Sequence, residues 1–290
     1  MGDQGTLPLA TVSVVQIDAT RAHPARMYDY LLGGTTNFAA DRQAIEALLQ
    51  AVPNARTGAR ENRAFLGRAV RYLVQEAGIR QFLDIGAGLP TAGNVHEVAQ
   101  SIAPECRVAY VDNDPIVLAH AHALLASHPS GRTTYVQADL HDPGAILRHP
   151  AVRATLDFTQ PIAIMLLAVL HFFPDTDDPA AIVAALLDAV PNGSYLVVSH
   201  VTSDFHDPAA AARGTQSVQQ AGVPFRARSA GELAGAILAG LRLAEPGLVP
   251  VSEWRPPAGI TLPDPSEVGY YGVVANKAIP VEAPSCALTT

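Results

Sequence analysis

Lysine is almost missing from this sequence. It occurs once, as Lys277, so the 19 Lys and Arg residues are nearly all arginine. Schiff-base chemistry, pyridoxal phosphate attachment and the GK[ST] phosphate loop each need a well-placed lysine, and none is available. Cysteine is equally scarce. Cys106 and Cys286 stand far apart without a CxxC, which argues against a disulfide framework and a thiolate zinc site. Positive charge is in deficit: 27 acidic residues against 19 basic leave a net charge of −8. Nucleic-acid binders that track phosphates rest on clustered Lys and Arg, so that class is set aside. Long apolar runs are absent too. The most apolar stretch, Pro161 to Phe173, falls short of the roughly 20 residues that cross a bilayer, so no membrane partner is expected. No basic region precedes Val12-Ser13-Val14-Val15, so no signal peptide is read there and a cytoplasmic location is expected. What the chain does hold is apolar side chains, 49% of 290 residues against 16% charged. That balance excludes disorder of the whole chain and allows a sizeable core.

The pattern divides near residue 75. Residues 1–75 read as a helical cap or lid. Pro24 to Leu32 carries Met27, Tyr28, Tyr30 and Leu31, then breaks at Gly33-Gly34, which can serve as a hinge. Asn37 can cap the next helix, with Ile45, Leu48 and Leu49 as its apolar face before Pro53. A third helix, from about Gly58 to Gln75, sets Phe65, Leu66, Ala69, Val70 and Leu73 at helical spacing. Residues 76–290 alternate strand, loop and helix. Strands are expected at Phe82–Ile85, Val108–Asp112, Thr134–Gln137, Ile162–Leu167, Tyr195–Ser199, Leu248–Glu253 and Tyr271–Asn276. Helices are expected at Val95–Ile102, Ile116–Leu125, Ala180–Ala189 and Glu232–Leu241, the last behind a capping box at Ser229-Ala230-Gly231-Glu232. This predicts an α/β fold: a mostly parallel seven-stranded sheet, helices on both faces, and ligands at the C-terminal strand ends. No helix separates the last two strands, so one enters antiparallel, as a hairpin. The Ala/Arg/Gln stretch from Asp207 to Gly222 reads as an insertion over the strand ends.

Chemistry-bearing residues gather at those ends. The first strand runs into Asp84-Ile85-Gly86-Ala87-Gly88-Leu89-Pro90-Thr91, a glycine turn that lets backbone N–H groups approach a ligand. A dinucleotide fingerprint wants glycine at position 91; Thr91 stands there, and no Tyr-x-x-x-Lys pair follows, which weakens a nicotinamide oxidoreductase. About 20 residues on, Asp112 ends the second strand, where an acid can accept from both ribose hydroxyls. Asp114, before Pro115, reads as a helix cap. Asp139 ends the third strand and can accept from adenine N6 while Leu140 packs on the ring; a plain turn aspartate is the alternative. His171 falls past the fourth strand and His200 past the fifth, so both can face one mouth, His171 as a general base or as a local hydrogen-bonding residue. Tyr28, Tyr30 and Phe38 in the cap suit packing and also a cationic group. Arg63 can pair bidentately with a carboxylate. His120 and His122 are too close to share a helix face, so no metal site is expected.

Asp84-x-Gly86-x-Gly88, Asp112 and Asp139 together resemble the Rossmann-like S-adenosylmethionine-dependent methyltransferases. Ala25-Arg26-Met27-Tyr28-Asp29-Tyr30-Leu31-Leu32-Gly33-Gly34, Asn37-Phe38, Asp41-Arg42, Asn62-Arg63-Ala64-Phe65 and Gln81 to Thr91 are similar to one actinobacterial S-adenosyl methyltransferase family. Leu243 to Val249 and Trp254-Arg255-Pro256 extend the likeness, which covers Arg21 to Lys277. The resemblance implies a methyltransferase fold with S-adenosyl-L-methionine as cofactor. It also implies cofactor contacts from Arg63, Asp84, Gly86, Ala87, Gly88, Leu89, Asp112, Asn113, Asp139, Leu140 and Ala168. A small-molecule acceptor methylated on oxygen or nitrogen is the expectation, with Tyr28, Tyr30 and His200 near the acceptor or lid and His171 as the base. A non-catalytic adenosyl-binding protein stays open as the alternative. Pro90 departs from the wider class, where a third glycine is usual, and leaves the loop's path over the methionine moiety open.

Overall fold

The computed structural model describes residues 17–124 and 127–277. Val12–Val15, Cys286 and Leu125, the expected end of one helix, lie outside the described residues. Three helices come first: α1 (Pro24–Leu31), α2 (Ala39–Ala51) and α3 (Ala55–Gln75). On α3, Phe65, Leu66, Ala69, Val70, Leu73 and Val74 form one buried stripe, as their spacing requires. One detail of the cap differs from expectation. Asn37 does not cap α2: its Nδ2 donates to Asp29 Oδ2 and Gly34 O, and Asp41 Oδ2 accepts from Phe38 N instead. Gly33-Gly34 forms a tight corner. Gly33 takes φ +84°, Gly34 N donates back to Asp29 O at 2.8 Å, and a Cβ on Gly34 would collide with the Asp29 carboxylate.

The sheet then builds through β1 (Gln81–Ile85), α4 (Val95–Ile102), β2 (Arg107–Asp112), α5 (Pro115–Leu124) and β3 (Arg132–Gln137). Two short helices, α6 (Pro143–Arg148) and α7 (Pro150–Thr155), lead to β4 (Ala163–Leu167), α8 (Pro179–Asp188), β5 (Tyr195–Val201) and α9 (Pro208–Gln220). The expected insertion is therefore a helix, and it packs across α2. The expected Glu232–Leu241 helix starts as one turn, α10 (Ala230–Glu232), under the Ser229–Glu232 capping box, and passes into a π-helical turn at Leu233–Ile237. Short strands β6 (Arg242–Leu243) and β7 (Val249–Pro250), one helical turn α11 (Pro265–Val268) and β8 (Tyr270–Asn276) complete the order. The expected strand Leu248–Glu253 shrinks to β7. Pro250 cannot donate to a ladder, and Val251–Glu253 coils so that Val251 and Trp254 enter the core. Trp254 meets the Phe65 and Tyr72 rings edge-on at 5.5 and 5.7 Å.

The sheet has eight strands, one more than expected, in the order β3-β2-β1-β4-β5-β8-β6, with β7 paired to β8. β1 to β5 run parallel; β8 is antiparallel to β5, β6 and β7. Alternate side chains feed two cores. Leu83, Ile85, Ile164, Leu166 and Leu196 face α6, α7 and α8, whereas Phe82, Met165, Val197 and Val274 face α3 and α4. At the far end of the sheet Lys277 fastens β8 to α8, its Nζ donating to Leu187 O at 2.7 Å and Val190 O at 2.9 Å. Among the described residues no helix is long and apolar enough to cross a membrane. The chain passes from β1 outward to β3, then returns to place β4 on the other side of β1. Such a reversal opens a crevice at the C-terminal ends of β1 and β4.

Candidate active site

A cavity of about 340 Å³ fills that crevice. Its floor is the turn after β1. Gly86 and Gly88 adopt φ +74° and +67°, conformations that glycine enters freely. A Cβ on Gly86 would lie 2.7 Å from Val169 Cγ2, so the turn and the segment after β4 touch backbone to side chain. Asp112 faces the cavity and shapes this turn: Oδ2 accepts from Gly88 N at 2.8 Å and Oδ1 from Asp114 N at 2.9 Å. Burial raises its carboxyl above the ordinary range against those two hydrogen bonds. Asn113, Asp139 and Leu140 line the same wall. Asp139 Oδ1 holds His141 through its backbone N at 2.9 Å and ring Nδ1 at 2.7 Å. Burial raises the Asp139 carboxyl, and the His141 hydrogen bonds outweigh it, leaving it lowered. Asp114 is the helix-end acid its sequence implies, accepting from Ile116 N at 3.0 Å.

The roof comes from the N-terminal helices. His23 reaches the cavity from the N-cap of α1, Pro24, Ala25 and Tyr28 from α1 itself, and Asn62, Arg63 and Leu66 from α3. Tyr28 donates to Ala59 O at 3.0 Å and accepts from Asn62 Nδ2 at 2.9 Å. Arg63 Nη2 donates to Asn94 Oδ1 at 2.8 Å and to Thr91 O at 3.3 Å, which ties the loop after Pro90 to α3. Asn62 Oδ1 and Arg63 Nε are buried without a partner, an acceptor and a donor beside the cavity. Asp84, in register between Tyr110 and Met165, lines the cavity from the α3 face. Burial pushes its carboxyl up to about 7, with Arg63 opposing and Asp112 adding to the rise. A buried knot fixes the roof to the Asp112 side: Arg26 Nε lies 3.3 Å from Asp41 Oδ2, and His23 Nδ1 lies 3.1 Å from Asp114 Oδ2.

Four expected residues sit elsewhere. Leu89 turns away from the cavity into a cluster with Ala25, Ile116 and Val117, because the loop runs under the cap. Tyr30 lines neither cavity; its hydroxyl donates to Glu46 Oε1 at 2.7 Å, and Arg56 lies over its ring. His200 belongs to β5 and is fully buried, with Nδ1 on Val201 O at 2.7 Å and Nε2 on Arg228 Nη1 at 3.2 Å. His171 does not line the large cavity. It lies in the wall of a second, smaller one of about 120 Å³, against the Phe172, Phe225, His200 and Tyr270 rings. Burial, His200 and Arg228 hold it well below the ordinary histidine range, so its ring is neutral. Ala168 does line the large cavity, at φ +53°, with its N–H donating to Ser199 Oγ at 2.9 Å.

The family model described as S-adenosyl methyltransferase matches residues 10–278. The chain belongs to the S-adenosyl methyltransferase family. A DUF574 family protein of Streptomyces avermitilis MA-4680 is similar, with 47% identity over 90% of this chain and 100% of that one, at a TM-score of 0.86. A candidate methyltransferase of Thermobifida fusca YX shares 39% identity over 90% of this chain and 96% of that one, at a TM-score of 0.81. Among curated proteins, none matches the sequence. The fold is the Rossmann-like methyltransferase fold, and S-adenosylmethionine is the donor of this S-adenosyl methyltransferase.

The residues present fit that cofactor. Its methionine end carries an ammonium and a carboxylate, and Asn62 Oδ1 and Arg63 Nε supply an unpaired acceptor and donor. Residues missed in the sequence include Asn62, Leu66, Val169 and Phe172 in the lining, and Arg228. Arg228 donates to Leu170 O, Phe173 O and Asp175 Oδ1, and so holds the turn that carries Phe172. Its signal, one arginine in a loop far along the chain, has no periodicity to find.

Proposed function

We propose that the chain transfers a methyl group from S-adenosylmethionine to an oxygen or nitrogen of a small-molecule acceptor. The carrying observation is the cavity at the ends of β1 and β4, roofed by α1 and α3 and bordered by the glycine turn, Asp112 and Asp139. Within it Asp112 and Asn113 take the ribose, Asp139 and Leu140 the adenine, and Arg63 with Asn62 the methionine end. Asp84, Gly86, Ala87 and Gly88 lie below the sulfur, and Ala168 borders the reacting end. When bound, the cofactor supplies a methyl carbon already activated by the sulfonium. The chain's own task is then alignment and exclusion of water, which proximity effects make the larger part of the rate. The N-terminal helices α1 to α3 act as a lid on the core that begins at β1, closing over the strand ends. The net charge of −8 supports a small molecule over a nucleic acid.

Titration calorimetry with S-adenosylmethionine, S-adenosylhomocysteine and NAD tests the donor assignment; tighter binding of NAD overturns it. Hydrogen exchange with and without S-adenosylhomocysteine tests the lid. Protection gained across α1 and α3 is expected, and changes limited to the strand-end loops would mean that the helices only pad the sheet.

A further inference from the structure

We propose that the second cavity is the acceptor site, and that its occupant is an uncharged single-ring alcohol or phenol. This rests on the reading that the larger cavity holds the methyl donor. Pro24, Tyr28 and Phe172 belong to the walls of both cavities, so the two chambers adjoin at an aromatic partition. A volume of about 120 Å³ is close to the ~150 Å³ apolar cavity that admits one benzene ring. Met27, Ile45, Val218 and Phe225 give it an apolar lining.

One feature of that lining asks for a polar partner. His171 is 2% exposed and its Nδ1 has no hydrogen-bond partner. Buried nitrogens of folded proteins are rarely left so. A hydroxyl satisfies either tautomer, because it both donates and accepts. The surroundings disfavour charge. Burial lowers His171, pushes Tyr28 up to about 12 and raises Tyr270, so each of these groups is held neutral. Glu267, the carboxylate of the lining, is exposed at the rim and accepts from Asp264 N. An ammonium or carboxylate passing the rim to reach His171 would lose its hydration with no counter-charge among His171, Tyr28 and Tyr270.

Calorimetric titration of the full chain with phenol, toluene and benzoate, each with and without S-adenosylhomocysteine, tests the proposal. Phenol is expected to bind with Kd on the order of 1 mM, the range open to a ligand of so few atoms. Toluene should bind about five- to tenfold more weakly, the worth of one hydrogen bond, and benzoate not measurably. His171→Leu should reduce phenol to the level of toluene and leave S-adenosylhomocysteine affinity unchanged. Thr215→Phe, which fills the chamber from α9, should remove both aromatic ligands; Ala211→Leu serves if that variant folds poorly. A purely structural His171 would lower the melting temperature without changing the phenol-to-toluene ratio, and that result overturns its role. Benzoate binding as tightly as phenol overturns the uncharged class, and phenol binding untouched by the filling variants overturns the location. Absence of phenol binding with S-adenosylhomocysteine binding intact sinks this proposal and spares the donor reading; the reverse sinks the donor reading and with it the acceptor role, leaving a phenol site only.

Discussion

The two adjoining chambers are built by opposite means. The larger is made where β1 to β4 end, so its glycine turn and its acids at Asp112 and Asp139 are placed by sheet topology. The smaller is walled mainly by α1, α2 and α9 with Phe225, which tertiary packing brings against Val201 and Tyr270 at the end of the β5–β8 ladder. One chamber holds carboxylates and an arginine at fixed distances, and in the other burial favours the neutral forms of His171, Tyr28 and Tyr270. Specific recognition of a charged, many-featured ligand comes from strand ends, whose positions the hydrogen-bonded ladder fixes. A chamber between helices can change its lining without disturbing that ladder.

Breaking the polar chamber should cost most. Asp112→Ala removes the acceptor that also anchors Gly88 N, and S-adenosylhomocysteine binding should weaken by roughly 1–3 kcal/mol, while phenol binding stays as it was. Calorimetry on the same sample reads both, and equal losses would show that the chambers are not independent. The next effect is pH-dependent. With its carboxyl raised to about 7, Asp84 is protonated in the unliganded protein below neutrality, and a cationic ligand favours its ionised form. Cofactor affinity should therefore climb with pH up to neutrality, by at most about tenfold per unit, and flatten above it. Asp84→Asn should abolish the slope. The same shift bears on stability: the folded value exceeds the unfolded one, so this group's contribution falls as pH rises from about 4 to 7. Urea titrations across that range should find Asp84→Asn gaining on the wild type as pH rises.

Two tyrosines sharpen the contrast at smaller scale. Tyr28→Phe deletes a hydroxyl that bonds Ala59 O and Asn62 Nδ2 in the partition, and should lower stability by about 1 kcal/mol. Tyr30→Phe loses only a contact with Glu46 at the surface, and a shift under about 0.5 kcal/mol is expected in the same thermal melts.

Those tyrosines also mark where sequence reasoning ends. The parallel strands were legible because Phe82–Ile85, Val108–Asp112 and Tyr195–Ser199 are short apolar runs between helical periods, and the glycine turn sits in a fixed place relative to them. The acids after β2 and β3 followed from that register. Tyr28 and Tyr30 look alike in sequence, yet a rotation of about 100° per residue, applied twice, sends them to different faces of α1. His171 and His200 both fall near strand ends, and only packing shows that Arg228 occupies one while the other meets the small chamber. β6 and β7 are two residues each, too short for any alternation to register. α6 and α7 are six residues each, a turn and a half, and a hydrophobic stripe needs more length than that to declare itself.

The scarcity of lysine has a practical consequence at the end of β8. Lys277 carries the chain's one ε-amine, and that amine is occupied by the carbonyls of Leu187 and Val190. Acylating reagents ignore guanidinium groups at neutral pH, so this half-buried side-chain amine should react faster whenever the corner between β8 and α8 lets go. The extent of acylation at this position, followed by mass spectrometry over time, is then a clock for a local opening far from either chamber.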